Sequence, residues 1–381
     1  MKVAVLGYGV VGYGVHEMLK TAAGLEAGPV LVRPGKADAD FKRTSIDEIA
    51  GDETVHIVVE VMGGIEPAFT YVRKSLMAGK HVVTSNKALV AAHGIELSQL
   101  AREKGVGFLF SAACGGAVPF LHNLSLAVMS DRVKKLGGIL NGTTNYMLDS
   151  MQRRGLDYGE ALSQAQKLGY AEADPTADVS GLDSLRKIML ACAVSYGMLP
   201  VKGLCCEGIE SLTADDVKAF SAEGLCCRLL AKGGLCADGI YAYVEPVLFK
   251  QGAPELSVLD NFNMASYEAE NSGRIVLMGQ GAGRWPTASA VLRDLSCIVR
   301  GERNMLPENC LEAKAHNAQS INRYYVRLAA DKAGLLPQER AESYGDICRV
   351  YTKPMSVEKM HSIAEQIRKD GGSVFFAAVD E

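Results

Sequence analysis

Residues 2–12 read KVAVLGYGVVG, an apolar run that leads directly into the spacing Gly-x-Gly-x-x-Gly. The run Lys2–Leu6 is typical of a buried strand, and the sequence after Gly12 predicts a helix that ends near Lys20. A strand, a glycine-rich turn and a helix in immediate succession form the first half of a βαβ unit. The start of the chain therefore predicts an α/β fold built on a parallel sheet.

The three glycines have distinct physical tasks in such a turn. Gly7 permits the tight turn, Gly9 lets a ligand approach the backbone, and Gly12 lets the helix pack closely on the strand. The first helical residues, Val10 and Val11, would present unpaired N–H groups and the positive end of the helix dipole to a phosphate. We therefore expect a dinucleotide to bind here; the alternative is a structural turn without a ligand.

Short apolar runs continue to alternate with helical patterns through the first 130 residues. This alternation predicts a Rossmann-type doubly wound parallel sheet over residues 1–130, to which residues 286–315 return. From about residue 131 the strand patterns carry charges at alternate positions, which indicates an inserted α+β domain over residues 131–285. Residues 321–381 form a small C-terminal domain in this interpretation. The predicted strands of the first domain are Lys2–Leu6, Val30–Arg33, Val55–Val61, His81–Thr84 and Gly107–Ser111.

The end of the second predicted strand bears on the choice of dinucleotide. A site for NAD usually has Asp or Glu there for the ribose 2′-hydroxyl, whereas a site for NADP has a nearby cation. Here the residues are Arg33-Pro34-Gly35-Lys36. Two cations and no carboxylate favour NADP(H) over NAD(H), unless Arg33 and Lys36 are only solvated loop charges.

The overall composition excludes several classes of protein. The 381 residues have a net charge of −4, so the basic excess of a nucleic-acid or membrane-surface binder is absent. No apolar run is long enough to span a membrane. The ten cysteines include no CxxC pair, so we interpret them as reduced thiols of a cytoplasmic protein.

Two later segments concentrate polar side chains. Lys87 follows the predicted strand His81–Thr84, and the carboxyl ends of parallel strands face the ligand crevice. The second segment has four carboxylates within residues 172–183, which would repel one another unless they bind a cation. Asp183 and Lys187 are four residues apart and share one helix face. This spacing by itself is equally consistent with an exposed ion pair.

The chain closely resembles the homoserine dehydrogenase family. The resemblance covers residues 1 to about 300, with the motifs in the order of the family. The signature segment matches at Ala165, Gly169-Tyr170-Ala171, Asp174-Pro175, Asp178-Val179, Gly181, Asp183 and Lys187. Other matching segments are residues 7–12, 61–67, 84–89, 141–146, 281–283 and 286–288.

The resemblance implies reversible hydride transfer between L-homoserine and L-aspartate 4-semialdehyde, in the biosynthesis of threonine, methionine and isoleucine. It implies Lys187 as general acid and base, Lys87 as a second active-site lysine, and a homodimer or higher oligomer. The inserted domain would then be catalytic. Expected substrate-binding residues are Glu172, Asp183, Asp178, Tyr170 and Thr143. Expected cofactor-binding residues are Gly7, Gly9, Val10, Val11, Gly12, Arg33, Lys36, Thr84, Ser85, Lys87, Gly169, Gly281 and Gly283.

The family also has a monovalent-cation site, for sodium, in the segment that matches residues 111–118. The backbone carbonyls of Cys114, Gly116 and Val118 match its ligands. Ser111 stands where the family usually has Glu, and Cys114 stands where Val is common. The loss of the carboxylate leaves the occupancy of this site open.

Two other functions are alternatives to that of a homoserine dehydrogenase. Aspartate-semialdehyde dehydrogenase uses a nucleophilic cysteine on the same metabolite, and Cys114 would be the candidate nucleophile. A catalytically silent NADP-sensing regulator is the second alternative. Neither alternative needs the acid/base group Lys187, which favours homoserine dehydrogenase.

The C-terminal tail resembles the ACT domain through which threonine inhibits some members of the family. Its predicted elements are a strand at Tyr324–Leu328, a helix at Val357–Lys369 and a strand at Gly372–Val379. Residues 338–344 leave little room for a full first helix, so we expect a truncated ACT-like domain of the form ββαβ. We expect this domain to serve mainly in contacts between subunits.

Overall fold

The computed structural model describes residues 1–380, which divide into two compact units. The first unit contains Met1–Arg132, Leu190–Leu199 and Gly279–Glu312, and the second contains the remaining described residues. Two features differ from the expected division. Leu190–Leu199 belongs to the first unit rather than to the inserted domain, and the C-terminal tail is part of the second unit rather than a separate domain.

The sheet of the first unit has six parallel strands in the order β3-β2-β1-β4-β5-β6. This order is that of a doubly wound dinucleotide fold, and it confirms the predicted Rossmann-type sheet. The two-residue strand β3 was not predicted, because so short a segment has no periodicity. The strands are β1 (Lys2–Leu6), β2 (Glu26–Leu31), β3 (Lys42–Arg43), β4 (Val55–Glu60), β5 (His81–Thr84) and β6 (Phe108–Leu109).

Twelve α-helices lie within residues 1–380. Helix α11 belongs to the first unit and packs against α1, where Gly14 of α1 lies so close to Arg284 that a Cβ would approach its side chain to 2.9 Å. The helices are α1 (Val10–Leu19), α2 (Ile46–Ala50), α3 (Ala68–Met77), α4 (Lys87–Glu103), α5 (Phe120–Ser130), α6 (Gly142–Arg154), α7 (Tyr158–Lys167), α8 (Thr176–Val179), α9 (Leu182–Tyr196), α10 (Ala214–Ala222), α11 (Arg284–Val299) and α12 (Val357–Lys369).

The second unit is built on a large mixed sheet whose main path runs β13-β12-β7-β10-β11-β19-β15-β17-β16. Its longest pair, β10 and β11, forms an antiparallel hairpin around Ala237 and Asp238. The strands of this sheet are β7 (Val133–Ile139), β9 (Cys205–Cys206), β10 (Leu225–Cys236), β11 (Gly239–Lys250), β12 (Phe262–Ala269), β13 (Gly273–Gln280), β15 (Ile321–Ala329), β16 (Gln338–Tyr344), β17 (Ile347–Thr352), β18 (Met355–Ser356) and β19 (Val374–Val379). Strands β8 (Met198–Lys202) and β14 (Leu311–Lys314) form a separate two-stranded sheet.

The tail differs from the expected ββαβ form by one more main strand. Strands β15, β16 and β17 precede α12 and β19, and a single 3₁₀ turn at Ala330–Leu335 stands where an ACT domain would have its first helix. The tail is not separate because β19 pairs in parallel with β11, which makes one continuous sheet. A shared core of apolar side chains from both segments, including Val247, Val326 and Phe376, reinforces this connection.

Candidate active site

The glycine turn at the end of β1 has the geometry that its sequence predicts. Gly7 has a φ of 99°, which favours glycine, and a Cβ at Gly12 would lie 2.0 Å from the carbonyl oxygen of Gly7. At Gly9, by contrast, a Cβ would meet no atom within 4 Å. Gly7 and Gly12 are therefore required by the fold itself, whereas Gly9 leaves open space where a pyrophosphate would approach.

A cavity of about 660 Å³ adjoins this turn. Arg33, Lys36 and Lys42 all line it, together with Gly7 and Gly9. Arg33 and Lys36 are exposed, and they come from the segment that follows β2. The cavity therefore joins a glycine turn suited to a pyrophosphate with three cations suited to a further phosphate, which fits the expected dinucleotide.

Lys42 was not identified from the sequence, because it lies on the unpredicted strand β3. Its ammonium group forms an ion pair with Asp38 and lies 5.2 Å from the centre of the Tyr8 ring. Tyr8 belongs to the glycine turn, so this contact places Lys42 and β3 beside the candidate cofactor site.

A buried carboxylate, Glu60 at the end of β4, organises the neighbouring loop. It accepts hydrogen bonds from the backbone N–H of Met62 at 2.7 Å and from the hydroxyl of Thr84 at 2.5 Å. Burial raises the pKa of Glu60, and these hydrogen bonds oppose the shift. The Thr84 hydroxyl thus has an internal partner, while Ser85 and Lys87 are half-buried at the beginning of α4.

The second unit contains a buried lysine with two close partners. The Lys187 ammonium lies 2.7 Å from an oxygen of Asp183 and donates to the carbonyl of Leu140 at 2.5 Å. Lys187 and Asp183 are each only 6% exposed. This burial excludes the solvated ion pair that the sequence alone left open, because each side chain is held in one geometry.

Asn141 links this pair to a further carboxylate. Its amide group donates to Asp183 at 3.0 Å and to Asp178 at 2.7 Å, and its side-chain oxygen caps α6. The hydroxyl of Thr143 lies 3.2 Å from Asp178 and donates to the carbonyl of Tyr170 at 2.6 Å. Burial, followed by the charge of Asp183, raises the pKa of Asp178, and the hydrogen bond from Asn141 opposes the shift.

The structure therefore brings together Lys187, Asp183, Asp178 and Thr143, with the backbone of Tyr170 beside them. Glu172 is exposed and lies on the loop between α7 and α8. Asn141 was not identified as a site residue from the sequence, although it begins a segment that matches the family. Gly169 has a φ of 75° and belongs to the turn that ends α7 in the second unit.

Several groups of the expected cation segment 111–118 have partners within the protein. The hydroxyl and the backbone N–H of Ser111 both donate to the buried carboxylate of Asp294, and burial raises the pKa of Asp294 to about 7. The guanidinium group of Arg293 donates to the carbonyl of Ala117 at 2.9 Å. The carbonyl of Val118, an expected ligand, accepts from Phe120 at 2.8 Å.

Glycine residues 116 and 281 were assigned to different ligands but are close together in the first unit. A Cβ at Gly116 would lie 2.6 Å from the carbonyl of Gly281. Gly283, at a φ of 112°, precedes the first residue of α11. These glycines let the loop and the beginning of α11 approach each other closely.

One further cluster could hold a metal ion. The ligand atoms of His122, Cys297 and Glu302 lie within 4.8 Å of one another. A guanidinium nitrogen of Arg300, however, lies 3.3 Å from both Cys297 and Glu302, so this cluster already contains a cation. None of the ten cysteines forms a disulfide, and the Cys114 side chain is fully buried, which is unfavourable for a nucleophile.

The parallel sheet with its open glycine turn is typical of dinucleotide-dependent oxidoreductases, and the buried Lys187 is a candidate acid/base group. Residues 119–296 match the family model described as homoserine dehydrogenase, and residues 7–111 match the model of the homoserine dehydrogenase NAD binding domain. The chain belongs to the homoserine dehydrogenase family.

Similar proteins support this assignment. The chain is 37% identical over 317 residues to a homoserine dehydrogenase of Synechocystis sp., covering 78% of this chain and 73% of that protein. A crystal structure of a homoserine dehydrogenase from Thiobacillus denitrificans matches with a TM-score of 0.88 at 29% identity, covering 100% of this chain and 98% of the other. A hyperthermophilic archaeal homoserine dehydrogenase in complex with NADPH matches with a TM-score of 0.68 at 26% identity, covering 78% and 97%.

Within residues 1–380 no helix has the length and apolar character needed to cross a membrane.

Proposed function

We propose that this chain interconverts L-homoserine and L-aspartate 4-semialdehyde by hydride transfer. The observation that carries the proposal is the buried pair Lys187–Asp183, held by the Leu140 carbonyl within the part of the chain that matches the family. The bound nicotinamide dinucleotide supplies the hydride in one direction and accepts it in the other. The chain itself must bind the substrate and move one proton.

Lys187 is the group that moves this proton. Reduction of the aldehyde develops negative charge on its oxygen, and the Lys187 ammonium stabilises that charge and donates the proton to form the alcohol. In the reverse direction the neutral amine accepts the proton of the homoserine hydroxyl. The contacts to Asp183 and Leu140 fix the position of the ammonium group, so that little reorganisation is needed.

The carboxylates bind the substrate ammonium group in this proposal. Asp183 and Asp178 are oriented by the same amide group of Asn141, and Glu172 adds a third, exposed charge. Thr143 and Tyr170 border Asp178 and supply the neighbouring polar surface. Lys87, at the first turn of α4, is the second active-site lysine.

We also propose a preference for NADPH over NADH. Support comes from the three cations Arg33, Lys36 and Lys42 around one cavity, which suit the 2′-phosphate that only NADP carries. The pyrophosphate would lie over the turn Gly7–Gly12, where Gly9 leaves the backbone accessible.

For the loop 111–118 we propose that Arg293 supplies the positive charge that a monovalent cation would otherwise provide. Ser111 is engaged with Asp294, and the Arg293 guanidinium already bonds to a carbonyl of the loop. We expect equal activity and equal Tm in sodium chloride and choline chloride for the natural chain. A marked sodium requirement of the natural chain would contradict this proposal.

We further propose that two copies associate and that the protein acts in the cytoplasm. The edge strand β13 exposes Val276 and Met278, which suits burial by a second copy. The ten cysteines, none of them in a disulfide, fit a reducing compartment.

A spectrophotometric assay tests the activity. The purified chain is mixed with NADPH and aspartate semialdehyde, and the fall in NADPH absorbance is followed; the same is done with NADH. We expect turnover without phosphate and a higher kcat/KM for NADPH. An absolute requirement for phosphate in the oxidative direction would assign the cysteine chemistry instead, and no turnover with either coenzyme would favour a regulator.

A further inference from the structure

The last helix of the tail forms an ion pair with a loop of the second unit. Arg368 on α12 donates to both carboxylate oxygens of Glu207, at 2.9 and 2.5 Å, and also to the carbonyl of Val374 at 3.3 Å. Glu207 is only 6% exposed. A bidentate contact to a buried carboxylate restricts both side chains to one geometry.

The loop around Glu207 in turn supports the segment that carries the substrate carboxylates. The backbone N–H of Ile209 donates to the carbonyl of Val179 at 2.8 Å, and the thiol of Cys206 donates to the carbonyl of Ser180 at 3.2 Å. A Cβ at Gly208 would lie 2.0 Å from the same Val179 carbonyl. The two backbones are therefore in direct contact.

The supported segment is short and lies between two site residues. Val179 and Ser180 directly follow Asp178, and α9 begins at Leu182 immediately before Asp183. Gly181 joins them with a φ of 82°, a backbone conformation that favours glycine. Because glycine has no side chain, it cannot anchor the turn itself. Asp183 and Lys187 share α9, so a shift of this turn would move Asp178 relative to the Asp183–Lys187 pair.

Arg368 also balances an excess of negative charge. Burial, followed by the charge of Glu207, raises the pKa of Glu210, and Arg368 opposes this shift. Without the guanidinium group, Glu207 would be a buried carboxylate beside a second carboxylate. The loop would then have to open toward water, because an unpaired buried charge is strongly unfavourable.

We propose that Arg368 is a positioning residue for the active site, acting through Glu207 and the loop 206–209 on the turn between Asp178 and Asp183. The proposal rests on the function proposed above. It gives the tail a task inside its own subunit, distinct from the subunit contacts that its sequence predicts.

Kinetics of the full chain in the homoserine-oxidising direction test this task. We expect Arg368→Leu to lower kcat/KM for homoserine about tenfold. The KM for NADP should stay within about twofold of the natural chain, because only the substrate side is displaced. Arg368→Lys should recover part of the loss. Lys369→Ala is the matched control, since Lys369 pairs with Glu365 on the exposed face of the same helix.

A double-mutant cycle tests the route through Glu207. If Arg368 acts only through Glu207, the pair Glu207→Ala and Arg368→Ala should be no worse than Glu207→Ala alone. Additive losses would contradict this route, as would an unchanged kcat/KM for homoserine in Arg368→Leu. Should Arg368→Leu fail to fold, the same comparison is made with Arg368→Gln, which removes the charge but keeps a polar side chain, and its full activity with an unchanged turn would contradict the proposal.

Hydrogen exchange separates this proposal from the proposed function. Backbone amides of residues 176–183 should exchange about tenfold faster in Arg368→Leu than in Lys369→Ala. Equal exchange in the two variants would overturn the positioning role even in an active enzyme. Faster exchange in a chain that does not oxidise homoserine would instead overturn only the proposed function.

Discussion

The two clusters of charged side chains in this chain are built in opposite ways. Around the glycine turn, Arg33 and Lys36 are exposed beside an open cavity. In the second unit, Lys187 and Asp183 are each 6% exposed and are bonded to each other. The charges of the first cluster are accessible to a ligand from solution, whereas those of the second contact each other inside the protein.

This difference fits the function proposed for each cluster. A phosphate brings two or more negative oxygens, so exposed cations can capture it with little preparation of their own geometry. A proton donor must stand at one position relative to the reacting oxygen, and an enclosed hydrogen-bond network supplies that order. Removal of a buried group should therefore cost far more activity than removal of an exposed one.

The largest effect is expected at Lys187. Lys187→Ala should lower kcat about 10²–10⁴-fold with little change in the KM for homoserine, because the proton transfer is lost while the carboxylates remain. Steady-state kinetics in both directions measure this effect.

Lys187→Arg is the matched control for charge. Arginine keeps the positive charge but does not release its proton, so the fold should persist while kcat stays low. If this variant instead kept the natural kcat with a raised KM, Lys187 would be a binding residue.

A smaller effect is expected in the open cluster. Loss of one charge-assisted contact to the 2′-phosphate removes about 1.5–3 kcal/mol, so Arg33→Ala or Lys42→Ala should lower kcat/KM for NADPH about ten- to hundredfold. NADH lacks this phosphate and should be used as before. Lys20→Ala is the control, since Lys20 is an exposed lysine of the same unit that pairs with Glu17. Equal losses with both coenzymes would show that these cations do not recognise the 2′-phosphate.

The fold of the first unit follows from local sequence. Strands β1 and β5 have the predicted bounds, because each is a short apolar run between clear turn signals. The second unit was harder to predict, since β10 (Leu225–Cys236) is mostly buried and has no alternation. The place of β19 beside β11 depends on contacts between segments more than 120 residues apart, which periodicity does not encode.

The candidate active site, too, could be predicted from the sequence only in part. Sequence motifs identified Lys187 and Asp183 as candidates, but only the folded chain shows that the pair is buried rather than solvated. Asn141 and Lys42 were missed because each acts through a partner distant in sequence. Ser111 was recognised as a departure from the family, yet its partner Asp294 is known only from the structure.

The smallest effect separates two carboxylates at or just before α8. Burial raises the pKa of Asp178, so its ionised form destabilises the folded state. This cost is absent below the pKa of the unfolded chain, about 3.9, and is complete above the folded pKa. Asp178→Asn should therefore match the natural Tm near pH 3 and exceed it by about 2 °C at neutral pH.

The exposed Asp174 provides a control of opposite sign for this last measurement. Hydrogen bonds from the side chain and backbone of Thr176 lower the pKa of Asp174, so its ionised form stabilises the fold at neutral pH and that contribution is lost in acid. Asp174→Asn should accordingly lower the Tm slightly at pH 7 and leave it unchanged near pH 3. Thermal unfolding of both variants between pH 3 and pH 7 tests this prediction. If the gain in Tm of Asp178→Asn did not depend on pH, altered packing rather than the removal of a buried charge would explain it.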